Sequence, residues 1–311
     1  MSDSSSTATA SSDPAASAAP SDELPVDQFV PPASTIGTVR AALRLVGIVL
    51  WTLLSCITYV IPMDLLCDAE RAGWLPWPGV HAVRARIVQF FFRVTQYIVG
   101  LRIHATGEDP KPPFLLVSNH LGYLDVFVFM SHLACALVAK REVRSWPLVG
   151  YLVKVGGTIF IDRNSRRDVL RINDRLEKAM QRGQGVIVFP EGTSTAGDRV
   201  LPFRASLLAP IAASDRPVHY ASLTYRTPGE DAPAYQTTAW WGDMEFAPHF
   251  WRMLATPRID AYVHFGRLDG DTDDRKEIAE HLTDEVRRYF DPIPGADEAV
   301  AVAQPRYLRR A

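Results

Sequence analysis

From Leu101 to Phe290, short apolar runs alternate with stretches whose apolar residues recur at helical spacing, and that alternation limits the chain to few architectures. The runs of strand length are Arg102–Ala105, Phe114–Ser118, Ala136–Ala139, Thr158–Ile161, Val186–Phe189, His219–Tyr225 and Ala261–Phe265. Between them, Leu148, Val149, Leu152 and Val153 follow Ser145-Trp146-Pro147 as a short helix. Val169, Ile172, Leu176, Ala179 and Met180 share one face of a longer helix that stops at Gly183. Asp274 to Phe290 reads as the last helix. Strands alternating with helices predict an α/β domain over 102–290, a mixed central sheet flanked by helices. With 47% hydrophobic residues the chain has enough apolar surface for a sizeable core.

Ahead of this domain, Leu45 to Met63 is uncharged and largely apolar. As a helix it reaches about 28 Å, close to the roughly 30 Å hydrocarbon thickness of a bilayer. Ile87 to Leu101 is a second apolar stretch, interrupted by Arg93 and Gln96, and it carries Phe90-Phe91-Phe92. Joined across Trp74-Leu75-Pro76-Trp77-Pro78, the two predict a membrane-associated helical hairpin over 36–101, embedded in one leaflet. A single span or a buried core helix fits the same residues. Charge does not choose between them, because Arg40 and Arg44 before the run are matched by Arg71, Arg84 and Arg86 after it. Residues 1–35 are rich in Ser, Ala and Pro and lack the basic start of a secretory signal, so they read as a disordered tail. Residues 291–311, Ala/Pro rich and ending in Arg306, Arg309 and Arg310, read the same way.

Lys+Arg 33 against Asp+Glu 35 leaves no global basic field, which argues against nucleic acid as a partner. Cys56, Cys67 and Cys135 are widely separated with no Cys-x2-Cys pair, so neither a zinc site nor a disulfide framework is expected.

Chemistry concentrates in Asn119-His120-Leu121-Gly122-Tyr123-Leu124-Asp125, just after an apolar run. An imidazole that titrates near neutrality can take a proton from a hydroxyl, and a nearby carboxylate can fix its tautomer. A spacing of five does not bring the two together on a helix, but it suits a strand end turning into one. Read blandly, the same residues are a loop histidine and a helix-capping aspartate. No Gly-x-Ser-x-Gly elbow is present, and the cysteines lie in apolar surroundings, so no covalent nucleophile is indicated. His120 and Asp125 have no third and fourth ligand at usable spacing, so no metal is called for. Gly157-Thr158-Ile159-Phe160-Ile161-Asp162-Arg163 ends a strand on a guanidinium suited to phosphate or, blandly, on a solvated ion pair. In Phe189-Pro190-Glu191-Gly192-Thr193, proline ends a strand and glycine lets the backbone approach a ligand. Backbone N–H groups there, with the Thr193 hydroxyl, suit a phosphate or an oxyanion.

Taken in order, these three blocks resemble the glycerolipid acyltransferase family, whose members include 1-acylglycerol-3-phosphate acyltransferases, over roughly Phe114 to Tyr225. The resemblance implies transfer of a fatty acyl group to the hydroxyl of a lysolipid, with His120 as general base and Asp125 orienting and charging it. It assigns Asn119, Phe160, Arg163, Glu191, Gly192 and Thr193 to substrate binding. It implies no cofactor, a thioester donor (acyl-CoA or acyl carrier protein, the latter a candidate partner), membrane lipids around the enzyme, and an active site on the cytoplasmic side. Many glycerol-phosphate-type members carry arginine after the threonine; here it is Ser194, which leaves Arg199 or Arg204 as headgroup cations. The run from Phe189 to Arg204 looks like the subgroup that includes lyso-ornithine-lipid acyltransferases. A fourth block, a strand usually containing proline, stands here as Val218-His219-Tyr220-Ala221 without it. The expected acceptor is 1-acylglycerol-3-phosphate, giving phosphatidic acid. The alternatives are a lyso-ornithine-lipid O-acyltransferase, a phospholipid–lysophospholipid transacylase and a non-catalytic lipid-binding protein.

Overall fold

A computed structural model of the chain describes residues 30–75, 79–140, 158–161, 166–208, 218–229, 232–268 and 274–303. The helix expected over Ser145 to Val153, residues 1–29 of the expected tail, and Arg163 lie outside the described residues.

Each of the expected strands is present: β1 (Leu101–Gly107), β2 (Leu115–Ser118), β3 (Cys135–Lys140), β4 (Ile159–Ile161), β5 (Gly185–Val188), β6 (Val218–Arg226) and β7 (Ile259–Arg267). They form one sheet in the order β1-β7-β6-β2-β5-β3-β4. Strands β2 to β6 run parallel, while β7 is antiparallel to β6 and parallel to β1. Every residue of β2 and β5 is buried, as central strands covered on both faces require. Helix α4 (Leu124–His132) carries the chain from β2 towards β3, and α5 (Arg166–Gln181) from β4 towards β5. Leu176, Ala179 and Met180 of α5 are buried, and the chain leaves the helix through Gly183 at φ +75°.

The N-terminal segment is a helical hairpin. Helix α1 (Thr35–Ser55) passes through one widened turn, Cys56–Val60, into α2 (Ile61–Arg71), and α3 (Val80–Val99) runs back to β1. Pro62 accounts for the widening: it has no N–H to give to Thr58, and the Ile61 N–H reaches the Cys56 carbonyl instead. Among the described residues, Thr35–Arg71 is the one helix long and apolar enough to cross a membrane. Its buried positions within α1 are the small residues Gly37, Ala41, Thr52 and Ser55, whereas Ile36 is 74% and Ile57 73% exposed. That distribution does not fit a buried core helix. A single span with Arg40 and Arg44 on the far side does not fit either. Arg40 donates to the Ala255 carbonyl at 2.6 Å, and Arg44 to those of Leu254, Thr256 and Pro257 at 2.6–2.9 Å. These are carbonyls at the end of α6 (Phe246–Ala255), where cations are favoured. Both ends of the hairpin are therefore fastened to the same domain.

The C-terminal stretch corrects the reading of 291–303 as part of a disordered tail; residues 304–311 lie outside the described residues. After α7 (Arg275–Tyr289), α8 (Ala296–Ala303) buries Ala296, Ala299 and Val300, with Ile293 just before it. The apolar stripe is real but made mostly of alanine, so composition hid it. Ile293 donates its N–H to the Gly197 carbonyl at 2.8 Å and fills the space where a Gly197 side chain would stand.

Candidate active site

Beyond Ser118 the β2 ladder stops, and the next side chain completes it. Asn119 is 1% exposed, and its amide donates to the Leu223 carbonyl at 2.9 Å and accepts the Leu223 N–H at 2.8 Å. That pairing swings the chain out of the sheet and delivers His120 to the carboxyl end of the parallel strands, where open α/β sheets bind ligands. The turn leads into α4, whose first turn carries Asp125. Its fully buried carboxylate accepts on Oδ2 from His120 Nδ1 at 2.7 Å, Leu121 N–H at 2.7 Å and Gly122 N–H at 3.1 Å. Oδ1 accepts from the Tyr225 hydroxyl at 2.8 Å. A carboxylate holding four donors stays accommodated in the core, and it keeps the proton of a neutral imidazole on Nδ1. Nε2 is then the acceptor. The His120 side chain is 25% exposed, stacks on Phe189 at 4.4 Å, and has no described protein partner at Nε2.

The loop after β5 wraps the backbone of the same histidine. Glu191 accepts the His120 N–H on Oε1 at 2.9 Å and the Leu201 N–H on Oε2 at 3.2 Å, while the Thr195 N–H donates to the His120 carbonyl at 2.9 Å. Glu191 is 2% exposed, and burial pushes its carboxyl up to about 8 against the opposing pull of the two backbone donors. Trp240 fastens the two loops together: its N–H donates to the Leu121 carbonyl at 2.8 Å, and its carbonyl accepts the Ser194 hydroxyl at 2.6 Å. Gly192 sits at φ +80°, and a side chain there would meet the Arg204 guanidinium at 2.8 Å.

Similarity to known proteins identifies the family. Residues 100–222 match the acyltransferase family model. A lyso-ornithine lipid O-acyltransferase of Rhodobacter capsulatus is 33% identical over 267 residues, covering 83% of this chain and 91% of that protein. The chain belongs to the acyltransferase family. A lyso-ornithine lipid O-acyltransferase of Brucella abortus is 29% identical over 81% of this chain and 94% of its own. A 1-acyl-sn-glycerol-3-phosphate acyltransferase of Neisseria gonorrhoeae is 28% identical over 61% of this chain and 74% of its own. The crystal structure of the Thermotoga maritima 1-acyl-sn-glycerophosphate acyltransferase superposes with a TM-score of 0.50 at 19% identity, covering 83% of this chain and 98% of that one. The fold is shared. The protein is an acyltransferase of the lysophospholipid type.

Within this acyltransferase the expected substrate-binding residues separate. Asn119 and Glu191 point inward with their polar atoms held by backbone partners. Phe160 lies on edge strand β4, three strands from β2, so about 14 Å across the sheet at ~4.8 Å per strand. Gly192 and Thr193 are half-buried in the loop after β5. Of the two arginines left as headgroup cations, Arg199 pairs with Asp198, whereas Arg204 lies over Gly192. Sequence reasoning missed Tyr225 and Trp240. The Trp240 ring joins Tyr123 and Phe246, but its backbone makes the brace. Neither role leaves a local signal, since each depends on a partner more than 40 residues away.

Proposed function

We propose that this acyltransferase moves a fatty acyl group from a thioester, acyl-CoA or acyl carrier protein, to the free hydroxyl of lyso-ornithine lipid. As the hydroxyl oxygen attacks the thioester carbonyl, His120 Nε2 takes its proton. The new C–O bond forms, the C–S bond breaks, and the proton passes on to the leaving thiolate. Asp125 holds the Nδ1 proton in place and stabilises the imidazolium. The observation that carries this reading is the imidazole nitrogen left without a partner among the described residues, on a histidine whose side chain is 25% exposed and whose other ring nitrogen and both backbone groups are held.

Two features support lyso-ornithine lipid over the first-expected lysophosphatidic acid. The relatives with that name align over most of both chains, and Ser194, at the arginine position, is turned to the Trp240 carbonyl. Arg204 over Gly192 favours the second reading, lysophosphatidic acid, because it supplies a cation beside the loop. The exposed apolar face of α1 supports attachment of the hairpin in one leaflet, with the site on the cytoplasmic side where thioester donors are made. With purified protein in lipid vesicles and one fixed donor, thiol release and product formation are measured for both lysolipids. A kcat/KM about tenfold higher for lyso-ornithine lipid is expected; a preference for lysophosphatidic acid reverses the assignment. Acyl transfer without a thioester donor would instead identify a transacylase.

A further inference from the structure

Tyr225 stands 100 positions from Asp125 in sequence, near the end of β6 and outside the dyad and phosphate-type motifs. Its hydroxyl is the sole described donor to Asp125 Oδ1, whereas the other three donors all converge on Oδ2. Both side chains are fully buried. Burial, with the adjacent carboxylate, holds the phenol well above its ordinary range, so the hydroxyl remains a donor wherever the enzyme works. Without it, Oδ1 would be a charged oxygen facing the apolar core with no partner.

We infer that Tyr225 is a positioning residue for acyl transfer, fixing the roll of the Asp125 carboxylate and drawing off part of its charge, and thereby setting the basicity of His120. This rests on His120 being the base. Other titratable groups face the dyad from both loops: Tyr123 precedes α4, and Glu191 accepts from the His120 backbone. Neither touches Asp125 Oδ1. Tyr225 therefore controls the half of the carboxylate that the local turn leaves unsupported.

Tyr225→Phe keeps the ring and its volume. The expected result is a fall in kcat of about tenfold, within the range for a hydrogen bond to a charged group, with acceptor KM unchanged. The acid limb of the kcat/KM profile should move to higher pH, because Asp125 then presents more charge to the imidazolium. In an Asp125→Asn background the same substitution should add less than about twofold, since the charge it tunes is gone. An unchanged kcat with an unmoved limb overturns the inference. So does an equal loss in both backgrounds, or a lowered Tm with an unmoved limb. His120→Ala measured alongside separates the two claims: turnover by that variant sinks the base assignment itself. An inactive His120→Ala with a fully active Tyr225→Phe removes only the role given to Tyr225.

Discussion

The loop after β2 and the loop after β5 leave neighbouring parallel strands side by side, and they treat their polar groups in opposite ways. The first keeps one acceptor open: everything around His120 is engaged except Nε2. The second carries the more conspicuous carboxyl, Glu191, and turns it inward to hold the His120 and Leu201 amides. One loop leaves an imidazole nitrogen open and the other braces the backbone that carries it. The difference teaches that burial can turn a motif carboxyl towards the backbone, as it does Glu191.

Substitutions should break the two loops by different amounts. His120→Ala removes the open acceptor and should lower kcat by about 10²–10⁴-fold while membrane binding and Tm stay near wild type, checked by thiol release and vesicle flotation. Asp125→Asn should lose less, roughly 10²-fold. The amide oxygen can still accept from Leu121, Gly122 and His120 on one side, so geometry survives while the charge that stabilises imidazolium is lost. Ser194→Arg should have the smallest effect on total rate. It removes the bond to the Trp240 carbonyl and adds a cation, so the ratio of kcat/KM for lysophosphatidic acid over lyso-ornithine lipid should rise about tenfold. An unmoved ratio would show that position 194 carries no headgroup information.

The inward loop also has a pH signature. A carboxyl raised in the folded state to about 8 binds a proton more tightly folded than unfolded, so its contribution to stability is full below its unfolded value of 4.5 and is lost as pH rises towards 8. Thermal unfolding of wild type should therefore decline relative to Glu191→Gln between about pH 5 and 8. A constant difference across that window would place Glu191 in a wetter setting than its burial indicates.

Much of the frame was legible in the chain. Leu115–Val117 and Val186–Val188 are unbroken apolar runs, and only a strand buried on both faces needs them. The convergence of His120 and Asp125 followed from a spacing that excludes a shared helix face. What stayed hidden depends on long-range partners or on small side chains. Asn119 looks like a ligand contact until Leu223, 104 positions away, takes up its amide. Tyr225 looks like the end of a strand, and the helix over Ala296–Ala303 hides behind an alanine-rich composition.

The comparison between the loops is tested most directly by the steady-state kinetics of Glu191→Gln with acceptor varied at saturating donor. Glutamine keeps one acceptor for the His120 N–H but offers a donor where Leu201 N–H needs an acceptor, so one backbone bond is lost, worth about 0.5–1.5 kcal/mol. The expected result is a kcat reduced roughly 2- to 13-fold with acceptor KM unchanged. A raised acceptor KM with kcat intact would contradict it, and would mean that Glu191 meets the substrate after all.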